Sequence, residues 1–314
     1  MRKFLRVLKW TGIILLVLII GLTITVLLRQ NITYDRPFPN VKASSDSAVI
    51  ARGKHLVMGV AHCADCHAKP GADSVFAAGG QVDLTGGFVF DLPVGKIYTA
   101  NITPDPTTGI GRLTDAEIAR ALRYGVHKDG TVVFNFMPFQ NMSDEDMTAV
   151  ISYLRAQPAV KSEVPPTDLN FIGKAVKAFL IKPVGPQGEV PVSVKPDSTI
   201  AYGSYLVNNM GNCTGCHTKR NLAGDWEGEL LAGGVMEHDG KTFYPPNLTP
   251  DPSGRLEGWT EQHFINRFRQ GRLVPGSPMP WPSYGRMSDL ELKAIYRYLK
   301  SVKAAPTTIT GKVK

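Results

Sequence analysis

All four cysteines of the chain lie in two copies of one pentapeptide, Cys63-Ala64-Asp65-Cys66-His67 and Cys213-Thr214-Gly215-Cys216-His217. Two thiols three positions apart, with a histidine directly after the second, fall on one helical turn. C-x-x-C-H is the attachment pattern of a c-type haem. Each thiol can add to a vinyl group of the porphyrin, and His67 and His217 are thereby placed to bind iron. The alternatives fail on spacing. A zinc ribbon keeps its C-x-x-C pairs about 15–20 residues apart, and a thioredoxin-like pair needs a βαβ setting. Structural disulfides would leave the duplicated histidine unexplained.

The duplication extends well beyond the cysteines. ARGKHLVMGVAHCADCHAKP at 51–70 matches AYGSYLVNNMGNCTGCHTKR at 201–220, and NITPDPTTG at 101–109 matches NLTPDPSGR at 247–255. A third block at 137–157 matches 279–302, again in the same order. Two related units are implied, rather than a many-repeat solenoid. Each unit predicts three helices: one over about 47–60 or 198–210, one from Thr114 to Gly125 or Thr260 to Gly271, and one from Ser143 or Ser288. Asp46 and Asp197 stand where N-caps belong, and Thr114-Glu117 and Ser288-Glu291 have the spacing of capping boxes. Gly53 and Gly203 fall inside helices, which predicts close packing against Tyr153 and Tyr298 of the last helix. With 31 glycines and 23 prolines, long ordered loops are expected between modest helices. The fold expected is mainly α.

The sixth iron ligand must come from later in each unit. Met137 and Met279 are equivalent methionines of the repeat, each followed by proline. Proline stiffens such a loop and keeps it out of helix. His/Met ligation fills both axial positions and suits electron transfer. His127 is the rival in the first unit. Met142 and Met287 read as apolar staples into the last helix. Asn101, Asn247, Arg123 and Arg269 are candidates for haem propionates, or equally for local turn stabilisation.

Residues 10–28, WTGIILLVLIIGLTITVLL, carry no charge over 19 residues, enough to cross a hydrocarbon core. Arg2, Lys3, Arg6 and Lys9 precede this run, so the positive-inside rule places the N-terminus in the cytoplasm and the rest outside. The run ends Val26-Leu27-Leu28-Arg29-Gln30 without a small-x-small site, which favours a retained anchor over a cleaved signal. The formal charge of +8 includes those four residues and Arg29, and without these five it falls to +3. No lysine or arginine run remains, so nucleic-acid binding is not expected.

With these motifs in hand, the chain resembles the cytochrome c subunits of bacterial membrane-bound alcohol, gluconate and sorbitol dehydrogenases. The resemblance rests on the two C-x-x-C-H motifs, the N-[IL]-T-P-D segments and the M-P-x…M-S-D-x-[DE] blocks, and it covers about 46–302. It implies electron relay from a dehydrogenase subunit into the respiratory chain, towards a quinone or a terminal oxidase. Two haem units and an N-terminal anchor set this chain apart from the family's usual three units. The pattern of small cytochrome c domains also implies a proline shortly after the haem histidine; Pro70 fits, whereas the second unit has Arg220.

The organisation expected is a basic flank and transmembrane anchor at 1–30, a juxtamembrane linker at 31–45, and a first cytochrome c domain at 46–157. A proline-rich linker at 158–196, a second cytochrome c domain at 197–303 and a tail at 304–314 follow. The linker's amphipathic stretch from Phe171 to Ile181 is expected to pack between domains rather than on a membrane surface. The function expected is a non-catalytic dihaem electron carrier, with Cys63, Cys66, Cys213 and Cys216 holding two covalent haem c groups. Its place would be the bacterial inner membrane, with the haem domains on the periplasmic side. A dihaem enzyme of peroxidase-like or thiosulfate-oxidising type is the alternative, but it would need an open or unusual axial position. A haem-based sensor would call for an output domain, whereas nine residues precede the apolar run.

Overall fold

The computed structural model describes residues 1–221, 226–238, 240–307 and 309. Of the expected tail at 304–314, residue 308 and residues 310–314 lie outside the described residues. Helix α1, Arg2–Arg29, runs through the apolar segment and its basic flank, because lysine and arginine are good helix formers. It is exposed along most of its length and is long and apolar enough to cross a membrane. Only Val26, in its last turn, is buried. After α1 the chain is caught by the first unit, where the Tyr34 N–H donates to the Gly130 carbonyl at 2.8 Å.

The first unit begins with α2, Ser47–Met58, capped by Asp46, whose side chain accepts from the Ala48 N–H at 2.7 Å. Short turns α3, Cys63–His67, and α4, Asp73–Ala77, follow. A tight hairpin comes next, β1, Val89–Leu92, against β2, Gly95–Tyr98. Helix α5, Asp115–Tyr124, has the full capping box of Thr114 and Glu117 and ends at Gly125, whose φ of 60° is the left-handed C-cap that glycine adopts without strain. Helix α6, Asp144–Ala156, starts at Ser143. Strand β3, Asp168–Leu169, adds to β2, and α7, Phe171–Phe179, follows it.

The second unit repeats the scheme with local differences. Helix α8, Ile200–Tyr205, is capped by Thr199 rather than by Asp197. Asp197 instead accepts from the Thr199 N–H at 2.8 Å and from its hydroxyl. The helix then widens into a π-type turn, Leu206–Met210, where the Asn208 amide reaches back to the Ser204 carbonyl at 3.0 Å. After it come α9, Cys213–His217, and a hairpin of β4, Met236–His238, and β5, Lys241–Phe243. Helices α10, Glu261–Arg269, α11, Trp281–Tyr284, and α12, Asp289–Ser301, complete the unit.

In each unit the first and last helices pack directly together, α2 on α6 and α8 on α12. Glycine makes this possible. A β-carbon at Gly53 would lie 1.8 Å from the Ala149 carbonyl oxygen and 2.9 Å from Tyr153 Cβ. At Gly203 it would lie 2.0 Å from the Ala294 oxygen and 2.8 Å from Tyr298 Cβ. The predicted tyrosine neighbours are therefore correct, and the backbone carbonyl is closer still.

The units share one core and a polar network across their boundary. His55 of α2 bonds Glu291 of α12 at 2.8 Å, and Arg52 lies 3.7 Å from the same carboxylate. Reciprocally, Tyr205 of α8 donates to Asp146 of α6 at 2.8 Å, and Arg52 pairs with Asp146 at 3.0 Å. Both carboxylates are buried, so their partners must offset a desolvation penalty of several kcal/mol. Helix α7 departs from expectation. It packs against β3 and α1, not between the units, because Gly173 sits on the Val94 carbonyl of the β1–β2 turn.

Candidate functional site

Each C-x-x-C-H turn is launched by one residue in the left-handed region, His62 with φ of 41° and Asn212 with φ of 48°. This reversal ends the preceding helix and starts the single turn that carries both thiols and the histidine. All four cysteines are free thiols. Burial pushes Cys63, Cys66 and Cys213 up to about 12, so little thiolate exists near neutrality. A redox-active pair has the opposite property, a depressed thiol pKa.

The histidines are held alike. His67 Nδ1 lies 2.8 Å from the Ala100 carbonyl, and His217 Nδ1 lies 2.7 Å from the Pro246 carbonyl. A carbonyl only accepts, so Nδ1 carries the proton and Nε2 keeps its lone pair, the tautomer an iron ligand needs. The absence of a proline after His217 therefore costs the second ring no support. Both carbonyls belong to the residue directly before an N-x-T-P-D segment. A backbone acceptor leaves no mark in side-chain identity; the repeat of that segment was the available signal.

The asparagines of those segments are committed elsewhere. Asn101 donates to the Val160 carbonyl at 2.9 Å and accepts from the Thr103 N–H at 3.0 Å. Asn247 donates to the Ala305 carbonyl at 2.7 Å and accepts from the Thr249 N–H at 2.8 Å. Each pins the chain after a unit's last helix to its turn, which is the local stabilising role. Arg123 bonds the Met142 carbonyl and Asp144, and Arg269 bonds the Met287 carbonyl and Asp289. These arginines clamp the loop to the start of α6 and α12, where Met142 and Met287 are buried.

In the second unit, Cys213, Cys216, His217 and Met279 line one cavity of about 310 Å³. Most of the remaining wall is apolar, including Trp281 and Phe268, but Arg255 and Arg267 also reach it. Burial and the like charge of Arg255 both disfavour the Arg267 cation. An anionic group in the cavity would relieve that conflict. The donor set fits a haem: two thiols, an imidazole with a free Nε2, a thioether, apolar walls for the macrocycle and two guanidiniums for carboxylates. Neither arginine was singled out from sequence, since Arg255 and Arg267 belong to different blocks that only the fold brings together.

In the first unit, Cys63 and Met137 pack against the same core. Met137 follows an aromatic stack in which Phe90 and Phe136 lie parallel, 4.4 Å apart. His127 sits in an exposed turn, its N–H bonded to the Thr131 carbonyl at 2.8 Å, and that turn holds the chain that follows α1. The two sites adjoin. Ser283 of α11 bonds Asp65, inside the first motif, and His62 meets Tyr284 edge-on with ring centres 5.6 Å apart. Val60 of the first unit lines the second unit's cavity.

Residues 50–158 match the family described as Cytochrome c. The chain carries a cytochrome c domain. Such a domain holds covalently bound haem c. Over 83% of its length the chain is 32% identical to the cytochrome c subunit of the quinone alcohol dehydrogenase of Komagataeibacter europaeus, covering 58% of that protein. It is 31% identical to the gluconate 2-dehydrogenase cytochrome c subunit of Pantoea cypripedii, over 85% of this chain and 62% of that one. A third relative, the "Diheme cytochrome c-type" protein of Cereibacter sphaeroides, is 28% identical over 77% of this chain and 82% of its own. The chain thus spans about three-fifths of the length of the alcohol and gluconate relatives. These two relatives are, by name, the cytochrome subunits of dehydrogenases.

Proposed function

We propose that the chain is a dihaem electron carrier built from two tandem cytochrome c domains, 46–157 and 197–303, anchored in the bacterial inner membrane by α1 with both domains on the periplasmic side. Cys63, Cys66, His67 and Met137 hold the first haem; Cys213, Cys216, His217 and Met279 hold the second. When bound, haem iron supplies a reversible one-electron couple. The chain's own residues fix each histidine tautomer through the Ala100 and Pro246 carbonyls, wrap the macrocycle in apolar side chains and exclude water. Arg255 and Arg267 supply charge for the second haem's propionates. Electrons would enter from a dehydrogenase subunit, in keeping with the names of the relatives, and leave towards a quinone or terminal oxidase.

The observation that carries this reading is the matched pair of bonds from His67 Nδ1 and His217 Nδ1 to carbonyls at equivalent positions. Haem counting tests it. A pyridine haemochrome assay should give two haems per chain that resist acid–acetone extraction. Cys63→Ser with Cys66→Ser should leave one, as should Cys213→Ser with Cys216→Ser. One haem in the native protein, or extractable haem, overturns the assignment.

A further inference from the structure

Helix α7 has its faces reversed relative to a helix that packs on a soluble core. The side against the protein is small: Gly173 abuts the Val94 carbonyl and Ala178 is buried. The large apolar residues point outward, with Phe171 47%, Ile172 64%, Phe179 41% and Leu180 71% exposed. Ile172, Ala175, Val176 and Phe179 share the i, i+3, i+4, i+7 spacing of one continuous stripe. Lys174 and Lys177 lie off that stripe, and Lys182 follows the helix.

Position decides what this stripe meets. Helix α7 packs against α1, and the Arg29 guanidinium lies over the Phe179 ring at 5.3 Å. Val26, one turn earlier in α1, is fully buried, so the body of the protein reaches the end of the apolar span. A helix seated there stands at the membrane boundary. An exposed apolar stripe with lysines on the opposite side is the composition of an amphipathic helix lying in that boundary.

We infer that α7 lies in the headgroup layer of the bilayer that α1 crosses, with Phe171, Ile172, Phe179 and Leu180 entering the acyl region and Lys182 and Arg29 meeting lipid phosphates. The inference rests on the reading of α1 as a membrane anchor. It gives the first unit a second attachment, so α1 does not act as a lone flexible tether.

Spin labelling of the full haem-loaded chain tests this. The native cysteines are occupied by haem, so a label placed by Ile172→Cys or Leu180→Cys is the only one. The protein is inserted into phosphatidylcholine–phosphatidylglycerol vesicles and reduced, so that the irons are diamagnetic. Accessibility to oxygen and to a water-soluble nickel chelate is then measured, with Leu18→Cys as the anchor control and Leu273→Cys as the aqueous control. Loss of nickel accessibility at 172 and 180 relative to 273, with oxygen accessibility retained, is the expected result. Labels at 172 and 180 that match 273, while 18 remains protected, overturn the placement of α7 but leave the anchor standing. A label at 18 that is accessible to nickel overturns the anchor reading, and this inference with it. Labels at 172 and 180 that lose access only when a dehydrogenase partner is added overturn it in favour of a protein docking face.

Discussion

His67 and His217 donate to carbonyls at matching positions, yet the surroundings of the two rings differ. His217 is 8% exposed, within a cavity walled by Trp281, whose ring is covered by Arg267 at 3.7 Å, and closed in part by Val60 of the other unit. His67 is only partly buried, and the loop before Met137 presents Phe136 with 41% of its surface in solvent. The duplicated sequence thus builds one way of orienting the imidazole and two degrees of enclosure. Enclosure and nearby guanidinium charge both disfavour ferric iron, so the second site should have the higher reduction potential.

The proposed axial methionines offer the sharpest way to break this contrast. Met137→Ala and Met279→Ala should each remove about half of the weak near-infrared sulfur-to-iron band, without releasing haem. In a redox titration Met137→Ala should lower the lower potential and Met279→Ala the higher. An unchanged spectrum for Met137→Ala would remove that residue as a ligand. A reversed order of potentials would show that enclosure does not set the difference.

Where the units agree, mutations should agree. Gly53→Ala and Gly203→Ala each drive a β-carbon into the carbonyl of the facing helix, at Ala149 and Ala294. Each should cost about 2–3 kcal/mol, as overpacking of a tight core does. Urea unfolding would check this, and a large difference between the two would mean that one helix pair can slide apart.

The smallest expected effect concerns the unit boundary. Burial alone would raise Glu291, but its bonds with His55 and with the Ser288 N–H and hydroxyl outweigh this and hold it below the ordinary glutamate value of 4.5. A folded-state value below the unfolded one stabilises the protein at higher pH, and that contribution is lost as the pH falls below 4.5 through the folded value. Glu291→Gln should therefore lower stability by about 1–2 kcal/mol at neutral pH and flatten the acid limb of a thermal midpoint–pH profile. A profile as steep as the native one would assign that limb to other carboxylates.

Much of this was legible in the sequence because it is local. The C-x-x-C-H turns, the capping boxes at Thr114 and Ser288 and the helical glycines each signal within a few residues. The cap at Thr199 was missed because Asp197 has equally good capping chemistry two positions earlier, and only the backbone chooses between them. The ring-holding carbonyls were missed because Ala100 and Pro246 have nothing in common as side chains. Asp146 has capping spacing in sequence, but in the fold its carboxylate serves Arg52 of its own unit and Tyr205 across the unit boundary, and no local pattern announces that.

The boundary network is also symmetric between the two units. By the repeat, His55 corresponds to Tyr205 and Asp146 to Glu291, so the contacts His55–Glu291 and Tyr205–Asp146 are one contact made twice with the partners exchanged. That is the isologous geometry of a two-fold homodimer, here contained within a single chain. The exchange is not free, however. Two copies of the second unit joined in the same way would bury two glutamates against four tyrosines, with no Arg52 or His55 to balance them. The buried glutamate of the second unit therefore depends on Arg52 and His55, which only the first unit carries.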